Sequence, residues 1–243
     1  MGPSRLPAVA PGLTKTPRPA YTGSMARTKG TEVLEEHRWP AVVALLAALT
    51  LYALLPSSFF PGLRYAVVGA GLVALIPLIV INPVRFLRQT RWSRRLALGQ
   101  TLLLVVANQI ALVQLIDQLI NANSTHARGL LLSALQVWVT NVIVFALMYW
   151  EIDRGGPVAR SGGGLGRVHR TSLRFPQEDS PGVPPWRPEF LDYLFTSVWT
   201  STAFSPTEAM PLTHQVKLLM AIESIAGLVL FALVVGRSMN LLL

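Results

Sequence analysis

Four acidic residues, Asp117, Asp192, Glu208 and Glu223, fall in or beside long apolar runs, where an ionisable side chain is costly and marks a functional site by default. On one apolar stretch Gln114, Asp117, Gln118 and Asn121 recur at i, i+3, i+4 and i+7, the spacing of one helix face, and Ser133, Gln136 and Thr140 form a similar stripe on the next. Gln114, Asp117, Gln118 and Gln136 thus make an intramembrane polar cluster with two readings. One is interhelical hydrogen bonding, about 0.6 kcal/mol per contact, with Arg128 as a partner for Asp117. The other is a hydrated vestibule or proton site built on the carboxylate. The densest polar chemistry lies between Asp192 and Thr213, where Thr196, Ser197, Thr200, Ser201, Thr202, Ser205 and Thr207 surround aromatic residues and lead through Pro206 to Glu208. An irregular hydroxyl-rich stretch cannot face lipid, because its free backbone groups would lack partners. Thr202, Ser205, Pro206, Thr207 and Glu208 are therefore candidates for the lining and mouth of an ion pore, where oxygens replace an ion's hydration shell. The competing reading is a short tilted helix that crosses a locally thinned bilayer and turns at Ser205 and Pro206.

Other chemistries lack their raw material. With Cys 0 there is no disulfide, thiolate metal site or cysteine nucleophile, and His37, His126, His169 and His214 are scattered without ligand spacing. The cluster Gly162, Gly163, Gly164 and Gly166 sits in a basic connection without the strand and helix that a phosphate-cradling loop needs. No catalytic residue, metal site or cofactor is expected, and the chain reads as a non-enzyme.

The elements that must position these residues follow from composition. The 243 residues are 51% hydrophobic and 14% charged, with a mean hydropathy of +0.46, whereas soluble domains carry about 25% charged residues. A bilayer core of about 30 Å takes about 20 apolar residues of helix. Trp39–Leu55, Tyr65–Ile81, Leu96–Ile120 and Leu130–Trp150 meet or approach that length, the first two forming a hairpin around Pro56, Pro61 and Gly62. Phe190–Phe204 is too short to cross comfortably, and Val216–Val235 spans. The predicted fold is all-α, a polytopic transmembrane helix bundle of five or six membrane elements whose fifth is a short re-entrant or tilted helix. Its parts are a disordered basic arm at 1–38, four transmembrane helices at 39–152, a Gly/Pro/Arg-rich connection at 153–188, and a short helix plus final transmembrane helix at 189–243. Extended structure is expected only within Ser172–Phe175. Tyr149, Trp150, Glu151, Asp153 and Arg154 read as an interfacial belt with an acid–arginine pair, closed by Gly155, Gly156 and Pro157.

The 21 Lys and Arg against 12 Asp and Glu give a net charge of +9, and their placement decides the partner. Basic residues gather in the arm (Arg5, Lys15, Arg18, Arg27, Lys29, Arg38), in the second connection (Arg85, Arg88, Arg91, Arg94, Arg95) and in the fourth (Arg154, Arg160, Arg167, Arg170, Arg174, Arg187). The first and third hold only Arg64 and Arg128. The positive-inside rule then puts the N-terminus in the cytoplasm of a multi-pass plasma membrane protein. Attraction to anionic lipid headgroups accounts for the excess charge, and a nucleic-acid partner is not required. The arm lacks the short apolar core of a secretory signal, and Met25 is an alternative start.

The last 60 or so residues resemble the pore module of the two-helix potassium-channel superfamily. That family reads pore helix, then T-T-V-G-Y-G-D, Pro and Thr shortly after, and an inner helix with Glu and Gly four residues apart. Here the matching positions are Thr202, Ser205, Pro206, Thr207 and Glu208, then Pro211 and Thr213, then Glu223 and Gly227. Ser205 and Thr207 replace the filter glycines, and a ribbon that needs residues without a Cβ is not accessible to F-S-P-T. The resemblance implies a pore-loop shape, an inner helix carrying Glu223 and Gly227, and a homo-oligomer (a tetramer), but not potassium sites at these residues. The blocks YWEIDRGGP, SLRFP, FLDYLFTSVWTSTAFSPTE and RSMNLL also resemble a broad family of uncharacterised bacterial membrane proteins, which implies a bacterial inner membrane and no activity.

Two functions fit these residues. One is an ion-channel-like protein with the non-standard loop STAFSPTE in place of a potassium filter, passing a monovalent ion. The alternative is a non-conducting membrane scaffold or accessory subunit, with Ser224, Ala226 and Gly227 as a small-residue face for close helix approach. A secondary transporter is disfavoured because no inverted repeat is evident.

Overall fold

A computed structural model describes residue 2 and residues 39–55, 61–81, 91–121, 127–160, 170–179, 186–202 and 209–239. Val33–Leu243 form one compact unit, distinct from Met1–Glu32; apart from Gly2, the arm assigned to 1–38 lies outside the described residues. The helices are α1 (Trp39–Ala53), α2 (Pro61–Ile81), α3 (Arg91–Asn121), α4 (Ala127–Ile152), α5 (Pro157–Arg160), α6 (Phe190–Thr202) and α7 (His214–Met239). The all-α class holds. Among the described residues α3, α4 and α7 are long and apolar enough to cross a membrane, whereas α1 and the apolar part of α2 are shorter.

The packing follows from where each helix keeps its small and apolar residues. Ala41, Val42, Leu45, Ala48, Leu49 and Tyr52 form the buried stripe of α1, at the spacing of a single helix face. Gly71 of α2 lets Leu49 approach so closely that a Cβ there would lie 2.6 Å from its methyl carbon. Pro61 opens α2 at the first helical position, where its missing N–H costs nothing. Arg64, counted as a loop charge in the sequence, lies within α2 and is buried, donating to the Leu55 carbonyl that ends the preceding segment. Every residue of α4 from Val144 to Trp150 is buried, because α1, α3, α6 and α7 all pack on it.

Cross-links give the directions. Gln100 Nε2 donates to Gly71 O (2.9 Å), Asn108 Nδ2 to Asn141 Oδ1 (2.9 Å) and Gln136 Nε2 to Leu51 O (2.5 Å). The pairs Leu55–Arg64 and Leu49–Gly71 run α1 against α2, Thr101–Met148 and Asn108–Asn141 run α3 against α4, and Gln136 in the first half of α4 meets Leu51 near the end of α1, so α1 to α4 alternate up and down.

At the end of α4 the chain turns through three consecutive positive φ values, Arg154 at 52°, Gly155 at 82° and Gly156 at 93°. The two glycines reach that region without steric cost. β1 (Leu173–Arg174) then pairs antiparallel with β2 (Met210–Pro211), Leu173 opposite Pro211 and Arg174 opposite Met210. Extended structure is therefore not confined to Ser172–Phe175. The second strand exists because β1 offers a partner, and Leu212 N donates to Ser172 O (2.9 Å) beside it. The stretch 153–188 is also more than a linker, since Asp153, Val158, Leu173 and Phe175 are buried against the bundle.

The path of α6 and α7 sets the architecture of the C-terminal third. Tyr193 reaches Asp153 and Ser197 reaches Val142 O, so α6 runs antiparallel to α4 from the bundle end where α4 finishes. Against α7 the pairs advance together: Ser197 with Glu223, Thr200 with Ser224, Ser201 with Gly227. The two helices are parallel, and both begin at the end that carries β1 and β2. At 1.5 Å per residue α6 extends about 20 Å and stops beside Gly227, the middle of α7.

A Cβ on Gly227 would lie 2.0 Å from the Ser201 carbonyl oxygen, a backbone atom that cannot move aside. Gly227→Ala is predicted to destabilise the protein by about 2 kcal/mol or more. Gly99→Ala, at a helix site with nothing within 4 Å of the new Cβ, should be neutral or stabilising by up to about 1 kcal/mol. Thermal unfolding of the two variants in one detergent measures the contrast.

Candidate functional site

The site is built where α4, α6 and α7 meet, and local chemistry fixes where α6 starts. Asp192, at the third helical position, accepts the Glu189 backbone N–H (2.7 Å). This is half of a capping box, with an acid in the first turn that also complements the helix dipole. Beyond the first turn, where Phe190 and Tyr193 are buried, the faces of α6 are the reverse of those on a helix in water. Thr196, Ser197, Thr200 and Ser201 are buried, while Leu191, Phe195 and Trp199 are exposed, with Phe195 and Trp199 edge to face at 5.6 Å. Hydroxyls turned inward and large apolar groups turned outward suit an apolar surrounding.

Two buried carboxylates sit at different depths along this helix. Asp153, fully buried at the bundle end, accepts Ser172 N (2.8 Å) and Leu173 N (3.1 Å) on one oxygen and the Tyr193 hydroxyl (2.7 Å) on the other. Arg154 Nε lies 3.4 Å from it, and the Arg154 guanidinium also pairs with Glu178. Arg160 donates to Trp150 O (2.8 Å) in the last turn of α4 and to Asp153 O (3.0 Å) just past it, and lies over the rings of Trp150 (5.8 Å) and Tyr193 (5.0 Å). Phe175 packs between Trp186 (5.5 Å) and Tyr193 (5.4 Å). With three hydrogen-bond donors and the Arg154 charge converging on it, Asp153 ties α4, the 172–175 segment and α6 together.

Glu223 lies deeper, nine residues into α7, and is fully buried. Its Oε2 accepts the Tyr149 hydroxyl (2.5 Å) and its Oε1 contacts the Ser197 hydroxyl, which also lies 2.8 Å from Val142 O. Ion pairs join Arg154 to Asp153 and Glu178, and among the described residues none reaches Glu223. One turn further along both helices, Ser224 Oγ donates to Thr200 O (3.0 Å) and Gly227 meets Ser201. Past the end of α6 a cavity of about 280 Å³ opens between α4 and α7, lined by Leu135, Trp138, Thr202, Leu228, Phe231 and Val234 among others.

Of the residues singled out in the sequence, Thr202 ends α6 and turns its hydroxyl back to Val198 O and Trp199 O (3.1 Å each). Ser205, Pro206, Thr207 and Glu208 lie outside the described residues. Glu223 and Gly227 come together with α6 on one face of α7. In the polar cluster, Asp117 is exposed and accepts Asn121 Nδ2 (2.8 Å), Gln114 and Gln118 are half-buried, and Gln136 is drawn to α1 through Leu51 O. The side chain of Arg128 lies outside the described residues. Between α3 and α4 the polar network is instead Asn108, Gln109 and Asn141, whose Oδ1 accepts both partners at 2.9 and 2.8 Å. Tyr149 and Trp150, read as an interfacial belt, are buried inside the bundle, because α6 and α7 cover that end of α4. The sequence signal for Asn108 and Asn141 was present, as amides in the middle of apolar runs. Tyr149 and Glu223 stand 74 residues apart with no local signal linking them.

Asp153→Ala leaves two backbone N–H groups and the Tyr193 hydroxyl without their acceptor, a loss of about 3 kcal/mol or more, whereas Tyr193→Phe removes one bond and should cost about 1–2 kcal/mol. Denaturant unfolding of the two variants in micelles reads the difference. A smaller loss for Asp153→Ala than for Tyr193→Phe would contradict the hub.

Comparison with family models, with curated proteins and with solved structures finds no match to this chain.

Proposed function

We propose that the chain is a polytopic integral membrane protein of channel-like build, in which α6 is a re-entrant helix and α7 the crossing helix beside it. The observation that carries this reading is the path of α6: it starts at the same bundle end as α7, runs parallel to it and stops at its middle. A helix that crossed would leave α7 to begin at the opposite end. The outward apolar face of α6 and the exposed Leu218, Ile222, Ile225, Leu228 and Phe231 of α7 supply the surface a bilayer or a neighbouring copy would cover.

Orientation comes from the charges. Arg91, Arg94 and Arg95 open α3, and Arg154, Arg160, Arg170, Arg174 and Arg187 belong to the end where α4 finishes. The up-and-down course of α1 to α4 collects them on one side, which the positive-inside rule assigns to the cytoplasm. The N-terminus is then cytoplasmic, α6 enters from the cytoplasm, and α7 carries the chain outward. On this reading copies of the chain assemble in an anionic-lipid plasma membrane, with Thr202 to Glu208 at the constriction for a monovalent ion.

The accessory-subunit reading keeps one supporting observation, the continuous apolar face of α7. The small-residue face first suited to it is occupied within the chain, since Gly227 holds Ser201 and Ser224 holds Thr200.

Ion flux from proteoliposomes, with potassium, sodium, proton and chloride gradients applied separately, tests the proposal. Cation flux whose selectivity changes in Glu208→Gln is expected. No flux for any ion, from protein shown to be folded and oligomeric, would overturn it in favour of the accessory subunit.

A further inference from the structure

We infer that Glu223, with Ser197, Tyr149 and the Val142 carbonyl, is a site that takes up and releases a proton, and that the proton decides whether α6 is tied to α4. The inference rests on counting hydrogens among four oxygens that touch one another. Tyr149 has one hydroxyl hydrogen, and it points at Glu223 Oε2. Ser197 has one, and two acceptors within reach, Val142 O at 2.8 Å and Glu223 Oε1. With a proton on Glu223 Oε1 every contact is served: Glu223 donates to Ser197, Ser197 donates to Val142 O, and Tyr149 donates to Glu223 Oε2. The result is a continuous link from α7 through α6 to α4. When that proton leaves, the Ser197 hydroxyl swings its hydrogen to the carboxylate, and Val142 O loses the donor that joined α6 to α4. Val142 O keeps its place in the backbone ladder of α4, so the change falls on the contact between helices.

The direct contacts leave room for a hydrogen between these oxygens, not for a metal ion. Nor does a fixed positive charge occupy the site. On α4 the titratable group facing Glu223 is Tyr149; on α6 it is met by the neutral Ser197, with Asp192 engaged at the first turn by Glu189 N. On α7 itself His214 and Lys217 are exposed at the helix start. The charged groups of α3 are Arg91, Arg94 and Arg95 at its beginning and Asp117 in its last turns, and none makes a described contact with Glu223. A fully buried carboxylate without a cationic partner is poised for reversible neutralisation by a small cation. The cavity touches Ser201 and Gly227, one turn beyond Ser197 and Glu223 on their helices, an open space from which a proton could arrive. The site does not depend on conduction, so it stands or falls apart from the channel reading.

Infrared difference spectroscopy of the full chain in lipid nanodiscs, cycled between acidic and alkaline buffer free of sodium, tests the assignment. The expected result is a carboxylic-acid C=O band that appears on acidification, is lost in Glu223→Gln, shifts in Ser197→Ala and Tyr149→Phe, and persists in Asp117→Asn. If Glu223→Gln does not fold, the shift in Ser197→Ala carries the assignment. A band that is absent, that never changes with pH, or that is insensitive to both the Glu223 and the Ser197 substitutions overturns the proposal. Displacement of the band by added sodium at constant pH would also overturn it, by making the occupant a metal cation.

Discussion

A helix that stops inside an apolar bundle leaves its last carbonyls without intrahelical donors, and no water is at hand to serve them. The end of α6 meets that constraint with hydroxyls, and one glycine of α7 makes room for it. Val198 O and Trp199 O accept from Thr202, Val198 O also from Ser201, Thr200 O from Ser224 of α7, and Ser201 O is brought against Gly227. Each of these residue choices follows from the same requirement. The hydroxyl-rich sequence that first reads as pore lining is, as far as Thr202, the device that lets a short helix end beside the middle of α7.

The two carboxylates divide the remaining work by depth. Asp153 accepts two backbone N–H groups and a tyrosine hydroxyl beside the Arg154 charge, so it is an anchor. It fixes the start of α6 against the end of α4 and, through Ser172 and Leu173, the strand pair from which α7 departs. Glu223 is held by hydroxyls alone. The first arrangement positions the helices, and the second leaves one contact between them that a proton can make or break.

Most of the helical skeleton was legible because apolar runs of the right length announce themselves, and the limits of α6 and α7 fell within a few residues of those read from the sequence. The half-depth course of α6 was one of two open readings, since a 13-residue helix is compatible with both. It is supported by the parallel course of α6 and α7, set by pairings such as Ser197 with Glu223 that no local pattern reveals. β2 escaped notice because Met210–Pro211 has neither alternation nor length, and it is extended only because Leu173–Arg174 lies opposite. Attention to charge selected Asp117, which is exposed, over the neutral Asn108 and Asn141, which are buried and bonded to each other. Buried amides in an apolar helix are as informative as acids, because each must find a partner from another helix.

The central claim is that α6 returns to the side it entered, so that the β1–β2 end and the end of α7 face opposite sides of the membrane. The cysteine-free sequence permits a direct measurement: Met210→Cys and Met239→Cys, both at exposed positions, labelled with a membrane-impermeant maleimide in right-side-out and inside-out vesicles. The account predicts that Met239→Cys labels only in right-side-out vesicles and Met210→Cys only in inside-out ones. The reversed pattern, Met210→Cys labelled only in right-side-out vesicles and Met239→Cys only in inside-out ones, is what a crossing α6 would give and would contradict it, as would labelling of both from the same side.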